Sequence, residues 1–184
     1  MSNIVYIATS IDGYIAKVDG SINWLTEIPN PDNSDYGFSE FLKGIDAILM
    51  GRKTFEAVLG FDEWPFEKPV FVLSNSLSEL HGRWASKAEI IKGDLKEVIK
   101  LLNNKGIINL YIDGGKTINS FLSIDLIDEM IITVIPILLG TGIHLFDDGG
   151  LELRFKHVET NVYNGGLVKT KYVREHGLII NPPA

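Results

Sequence analysis

Three observations predict an α/β fold built on a mostly parallel sheet. Short, continuous apolar runs rich in Val, Ile and Tyr recur along the 184 residues. Segments with apolar residues at three- and four-residue steps lie between them. The last third then gives up this alternation for two strand-like segments around a glycine pair. Continuous apolar runs mark strands buried on both faces, and strand–helix repetition builds βαβ units.

The opening run, residues 4–8, is the first strand. Residues 36–45 bring Phe38, Phe41, Leu42 and Ile45 to one helical face, and residues 47–50 return to a strand. A helix over 53–59 turns Phe55, Val58 and Leu59 inward, and 70–73 is the next strand. Residues 95–102 carry Leu95, Val98, Ile99 and Leu102 on one face; 109–112 is a strand; 116–122 is a helix with Ile118, Phe121 and Leu122 aligned. The most apolar run, 130–139, holds a strand over 130–135, with Pro136 after it. Segments 151–161 and 167–175 flank Tyr163-Asn164-Gly165-Gly166, a strong hairpin signal. The sheet should therefore end in a C-terminal antiparallel hairpin, with amphipathic helices on both faces. No repeat or divider appears, so residues 1–184 are read as one domain. The polar, proline-containing loops 27–35 and 60–69 are candidate binding loops.

Apolar residues at 45% and charged residues at 22% exclude a disordered chain. The lack of cysteine excludes a disulfide framework, a zinc ribbon and a cysteine nucleophile, and suits the cytoplasm. A formal charge of −7 argues against nucleic acid as a general partner. Met1-Ser2-Asn3-Ile4 lacks the pattern of a signal peptide, and the apolar run 130–139 is too short to cross a bilayer. A small molecule is the expected partner, and any anion must be held by locally placed groups.

Three strands end in similar chemistry. Ile48-Leu49-Met50 runs into Gly51-Arg52-Lys53-Thr54, Tyr111-Ile112 into Asp113-Gly114-Gly115-Lys116-Thr117, and Val72-Leu73 into Ser74-Asn75-Ser76. Glycine lets a backbone approach a ligand, and the first N–H groups of a helix favour an anion. Arg52, Lys53 and Lys116 add positive charge, and Thr54, Thr117 and Ser74 add hydroxyl donors. One such turn serves equally well to reverse the chain. Three together point to one multi-phosphate ligand beyond the carboxyl ends of the strands, and a dinucleotide fits.

Familiar motifs are excluded by spacing. A P-loop ending in Gly115-Lys116-Thr117 needs glycine where Leu110 stands, and no G-x-G-x-x-G occurs. His81, His144, His157 and His176 form no i, i+4 pair, so no metal is expected. No G-x-S-x-G elbow exists. Asp147-Asp148-Gly149-Gly150 lacks EF-hand spacing and reads as a turn, as does Asp12-Gly13. Asp35, just ahead of the helix over 36–45, can cap that helix or hold the ring nitrogens of a heterocycle.

Residues 7–16 (Ile-Ala-Thr-Ser-Ile-Asp-Gly-Tyr-Ile-Ala), Gly51-Arg52-Lys53-Thr54-Phe55-Glu56, Val72-Leu73-Ser74-Asn75, Asp113-Gly114-Gly115-Lys116-Thr117 and Pro136-Ile137-Leu138-Leu139-Gly140-Thr141-Gly142, in this order, resemble the dihydrofolate reductase-like superfamily. The branch they are most similar to is the reductase domain of the bifunctional riboflavin-biosynthesis deaminase-reductase. That resemblance implies an NADPH-dependent oxidoreductase acting on a pyrimidine or pterin-like substrate, with a dimeric assembly; dihydrofolate reductase and a non-catalytic NADPH-binding protein are the alternatives. It also implies roles. Gly51, Arg52, Lys53 and Thr54 would face the pyrophosphate and adenosine half of the cofactor, and Ser74 and Asn75 its 2′-phosphate. Gly114, Gly115, Lys116, Thr117 and Ile118 would wrap the pyrophosphate and nicotinamide side, flanked by Ala8 and Ile15. Trp24, Asp35, Phe38 and Thr133 would line the substrate pocket, Asp35 as the catalytic carboxylate; Asp113 is expected to join Asp35 at the nicotinamide end of the cleft because it stands at the last position of its strand, over the ligand crevice. The sequence departs from dihydrofolate reductases in placing Asp113 before the glycine pair, Lys116 after it, and Asn23 before Trp24. The deaminase half has no counterpart here.

Overall fold

Val5, Leu49, Val72 and Ile112 have no exposed surface or nearly none, because each lies on a strand covered on both faces. The computed structural model describes residues 1–148 and 150–175. Its strands are β1 (Ser2–Ser10), β2 (Tyr14–Ala16), β3 (Ala47–Gly51), β4 (Val70–Leu73), β5 (Ala88–Ile91), β6 (Asn109–Asp113), β7 (Glu129–Ile135), β8 (Ile143–His144), β9 (Phe155–Val162) and β10 (Val168–Arg174). Its α-helices are α1 (Phe38–Lys43), α2 (Arg52–Val58), α3 (Leu95–Asn104) and α4 (Gly115–Leu122).

Eight strands form one sheet in the order β5-β4-β3-β6-β1-β7-β10-β9; β2 and β8 pair separately. Pairing is parallel from β5 through β7 and antiparallel at β10 and β9. This is the mixed sheet with a terminal hairpin that the sequence predicts. The hairpin turn uses Gly165 and Gly166, both at positive φ (93° and 81°), where glycine alone is unstrained.

Alternation along the strands splits the core in two. Ile4, Ile48, Met50, Val72 and Tyr111 pack with Phe55 and Val58 of α2 and with the aromatic residues of α1. Val5, Leu49, Leu110 and Ile112 face the other way, against Val98 and Leu102 of α3 and Ile118 and Phe121 of α4. A third cluster joins buried Trp24, Ile135 and Leu167 to Ala8, Tyr36 and Tyr163.

Several expectations need correction. The first helix begins at Phe38, not at residue 36, because Tyr36 (φ 55°) and Gly37 (φ 86°) are left-handed. β9 begins at Phe155 rather than at residue 151. β5 has no counterpart in the sequence pattern: its four residues include exposed Glu89, too little apolar pattern to read, yet they pair beside β4. β7 lies between β1 and β10 in the sheet. Beyond Pro136, Leu138 is exposed. Among the described residues no helix is long and apolar enough to cross a membrane.

Candidate functional site

β3 and β6 are parallel neighbours, with Met50 opposite Asp113. The helices that follow them leave in opposite directions: α2 packs on one sheet face and α4 on the other. Two adjacent strands whose connections diverge leave a crevice at their carboxyl ends, the usual ligand position in an open α/β sheet.

Glycines bring the crevice walls together. A Cβ on Gly51 would lie 2.8 Å from Thr117 Oγ1, and one on Gly115 would lie 2.7 Å from Ile15 Cδ1. A Cβ on Gly114 (φ 90°) would collide with Thr54 Oγ1. Thr54 and Thr117 therefore cross between the two helix starts, and Ile15 of β2 rests on the turn into α4. Gly51 and Gly114 stand at the N-caps, and no side chain caps either helix. The first-turn N–H groups are left for solvent or a ligand. Lys53 and Lys116 are exposed. Arg52 pairs with Glu56 at 2.9 Å while half-exposed. Ser74, directly after β4, accepts from Leu77 N with its Oγ; Asn75 Oδ1 accepts from Gly93 N.

On the α1 face the sheet offers a second row. Ala8, Thr133 and Lys169 are register partners across β1, β7 and β10, so their side chains share that face. Asp113 stands at the end of β6, one step past the Val5–Ile112 pair and thus level with Tyr6. Burial pushes the Asp113 carboxyl up to about 6, against the pull of the Gly114 N–H and the Tyr111 hydroxyl. Burial, with Tyr163 and Asp35 nearby, also raises the Tyr6 phenol well above its ordinary range. Phe38 meets the Tyr6 ring at 5.4 Å between centroids and the Tyr111 ring at 6.3 Å.

Trp24 is almost wholly buried beside Ala8, and its indole Nε1 has no hydrogen-bond partner among the described residues. Such an orphan is costly unless another group meets it. Asp35 is exposed, and both carboxylate oxygens are taken by its own helix start: Gly37 N donates at 2.9 Å and Ser39 N at 2.8 Å. Hydrogen bonds from the Ser39 side chain and backbone hold its carboxyl below the usual range. Of the two roles expected for Asp35, the capping role is the one its oxygens fill, from two residues upstream of the N-cap.

Three residues of this face carried no sequence signal. Tyr6, Tyr163 and Lys169 all donate to the Tyr36 carbonyl, at 3.0, 2.9 and 2.8 Å. Tyr6 and Lys169 sit on strands distant in sequence and Tyr163 directly follows β9; only the alternation along β10, once its facing is known, marks Lys169. A cavity of about 360 Å³ opens beside them, bordered by Tyr6, Gly37, Phe41, Asn161 and Lys169. A larger cavity, about 720 Å³, lies beyond α4 among Asn119, Phe146, Leu151 and Phe155, and holds only Lys116 of the expected residues. No His, Cys, Asp and Glu cluster that could hold a metal occurs among the described residues. His176 and Gly149 lie outside them.

The family described as the RibD C-terminal domain matches residues 3–169. A structure from Shewanella sp. PV-4, assigned provisionally to riboflavin biosynthesis, is 48% identical, with a TM-score of 0.91 over 96% of this chain and 100% of that one. The deaminase and 5-amino-6-(5-phosphoribosylamino)uracil reductase of Thermotoga maritima has a TM-score of 0.74 at 15% identity, over 94% of this chain and 56% of that one. This chain thus spans little more than half of that protein. Dihydrofolate reductase of Enterococcus faecalis, solved with NADP(H), has a TM-score of 0.63 at 15% identity, over 94% and 96% of the two chains. The last two likenesses concern the fold.

Proposed function

Since the chain belongs to the RibD C-terminal domain family, we propose that it is an NADPH-dependent reductase that passes hydride to a pyrimidine- or pterin-like substrate of the 5-amino-6-(5-phosphoribosylamino)uracil class. The observation that carries this reading is the meeting of the two helix starts at the carboxyl ends of β3 and β6, where Gly51, Gly114 and Gly115 let the backbone close on Thr117, Thr54 and Ile15 and leave the first-turn N–H groups of α2 and α4 uncapped side by side. A dinucleotide suits such a cradle: close backbone approach, uncapped N–H groups and hydroxyl donors, with positive charge at its rim.

Gly51, Arg52, Lys53 and Thr54 would hold the pyrophosphate and adenosine side, and Ser74 and Asn75 the 2′-phosphate. Gly114, Gly115, Lys116, Thr117 and Ile118 would hold the pyrophosphate toward the nicotinamide, which Ala8 and Ile15 would flank. When bound, NADPH supplies the hydride. The chain's own work is orientation and exclusion of water. Phe38 and Thr133 would wall the substrate, with Asp35 at the mouth. The buried Trp24 indole N–H would donate to a ring heteroatom, satisfying an otherwise orphaned group. Asp113, with its carboxyl near 6, holds or releases a proton at the end of β6 within the working pH range.

The test is the loss of reduced-nicotinamide absorbance with 5-amino-6-(5-phosphoribosylamino)uracil and with dihydrofolate in parallel. Turnover with the pyrimidine is expected. Turnover with dihydrofolate alone would make the chain a dihydrofolate reductase. Saturable NADPH binding with turnover of neither would leave a nucleotide-binding protein.

A further inference from the structure

The Tyr36 carbonyl is oversubscribed. An sp² oxygen has two lone pairs, yet three donors converge on this one: the Tyr6 and Tyr163 hydroxyls and the Lys169 ammonium. Tyr36 itself is left-handed at φ 55°, a conformation that a bulky side chain adopts only when its surroundings enforce it. Gly37 follows at φ 86°, and a Cβ there would lie 2.7 Å from Lys169 Nζ. The turn is therefore shaped around the ammonium. The next residues are Phe38, whose ring packs on Tyr6, and Ser39, whose N–H donates to Asp35.

Lys169 is half-buried between two aromatic faces, 5.2 Å from the Tyr163 centroid and 5.9 Å from that of Tyr6. Among the described residues the only hydrogen bond of its ammonium is to the Tyr36 carbonyl. Lys171, two residues on, is spent differently, in a 2.5 Å ion pair with Glu129. The two lysines share a strand and a face, and only one of them grips the turn.

We propose that Lys169 is a positioning residue of the reductase site: its charge locks the left-handed Tyr36 turn and so sets Asp35 and Phe38 as the substrate wall opposite Ala8 and Thr133. The inference rests on the reductase reading for its catalytic consequence and on geometry alone for the lock.

The lock is tested without substrate, by amide exchange at Gly37, Phe38 and Ser39. K169M should speed exchange there by about tenfold or more, the scale of a lost charged hydrogen bond. K169R should restore protection, and K171M should leave it as in wild type. In the NADPH assay with 5-amino-6-(5-phosphoribosylamino)uracil, K169M should raise KM about tenfold on the same grounds, keep kcat within about twofold, and leave the NADPH Kd unchanged. Wild-type exchange in K169M overturns the proposal, as does an unmoved KM in an active enzyme. A wild-type protein that turns over neither this pyrimidine nor dihydrofolate defeats the reductase reading instead, while the exchange pattern still decides whether Lys169 locks the turn.

Discussion

A Cβ on Gly114 would collide with the hydroxyl oxygen of Thr54 in the first turn of α2, so the start of α4 is fitted against the Thr54 side chain with no room for one of its own at Gly114. Gly114 also stands at φ 90°. Gly114→Ala therefore meets both a forbidden backbone and a steric clash, and should cost about 2–4 kcal/mol of stability. Gly106 has a similar φ of 85° with nothing near its missing Cβ; Gly106→Ala should cost only about 1–2 kcal/mol. Urea unfolding of the two variants measures the difference, and NADPH affinity should fall only for the first.

Cofactor choice should depend on charge. Arg52, Lys53 and Ser74 stand together past β3 and β4, whose last residues, Gly51 and Leu73, are register partners. NADPH should bind more tightly than NADH, and the gap should narrow as salt screens the extra phosphate. Arg52→Ala should narrow it as well, with little stability cost, because the exposed Arg52–Glu56 pair is worth about 0–1 kcal/mol. Equal dissociation constants for the two cofactors at every salt concentration would contradict this.

Asp113 should make stability fall with rising pH. Burial raises its carboxyl from 3.8 to about 6, so the folded state holds the proton more firmly than the unfolded chain. Its stabilising contribution is complete below 3.8 and is lost as pH rises through about 6. Asp113→Asn should thus match the wild type near pH 4 and exceed it near pH 8 by about 1–3 kcal/mol. Denaturation midpoints at the two pH values decide it; a difference independent of pH would contradict it.

Asp35→Asn should separate capping from substrate contact. The carboxylate uses both oxygens, one for Gly37 N and one for Ser39 N, whereas an amide has a single acceptor oxygen. Losing one of these bonds should cost about 1 kcal/mol of stability. KM for the pyrimidine should rise with the NADPH Kd unchanged. A variant with wild-type kcat/KM would remove Asp35 from the pocket and leave it a helix cap.

The parts legible in the sequence were those fixed by local rules. The strand over Val70–Leu73 has in the structure the bounds that its sequence predicts, because a continuous apolar run between loops admits little else. The glycine-led ends of β3 and β6 read in the sequence as places where backbone approaches a ligand; what stands against Gly51 and Gly114 within this chain is Thr117 and Thr54. What stayed hidden depends on sheet order. That β3 and β6 are neighbours, and that α2 and α4 part company there, comes from pairings between distant residues. Lys169 and Tyr163 meet Tyr36 across more than a hundred residues, and no local pattern tells which face of β10 looks toward α1. Tyr36 itself hid the true start of α1, since a tyrosine at positive φ has no compositional mark.

The most direct test of the crevice is backbone amide NMR during titration with NADPH. Saturable shifts are expected at residues 51–54 and 114–118, extending to Ala8 and Ile15, with Phe146, Leu151 and Leu153 in the cavity beyond α4 unmoved. Shifts confined to that larger cavity, or none at saturating NADPH, would contradict a cofactor site between β3 and β6.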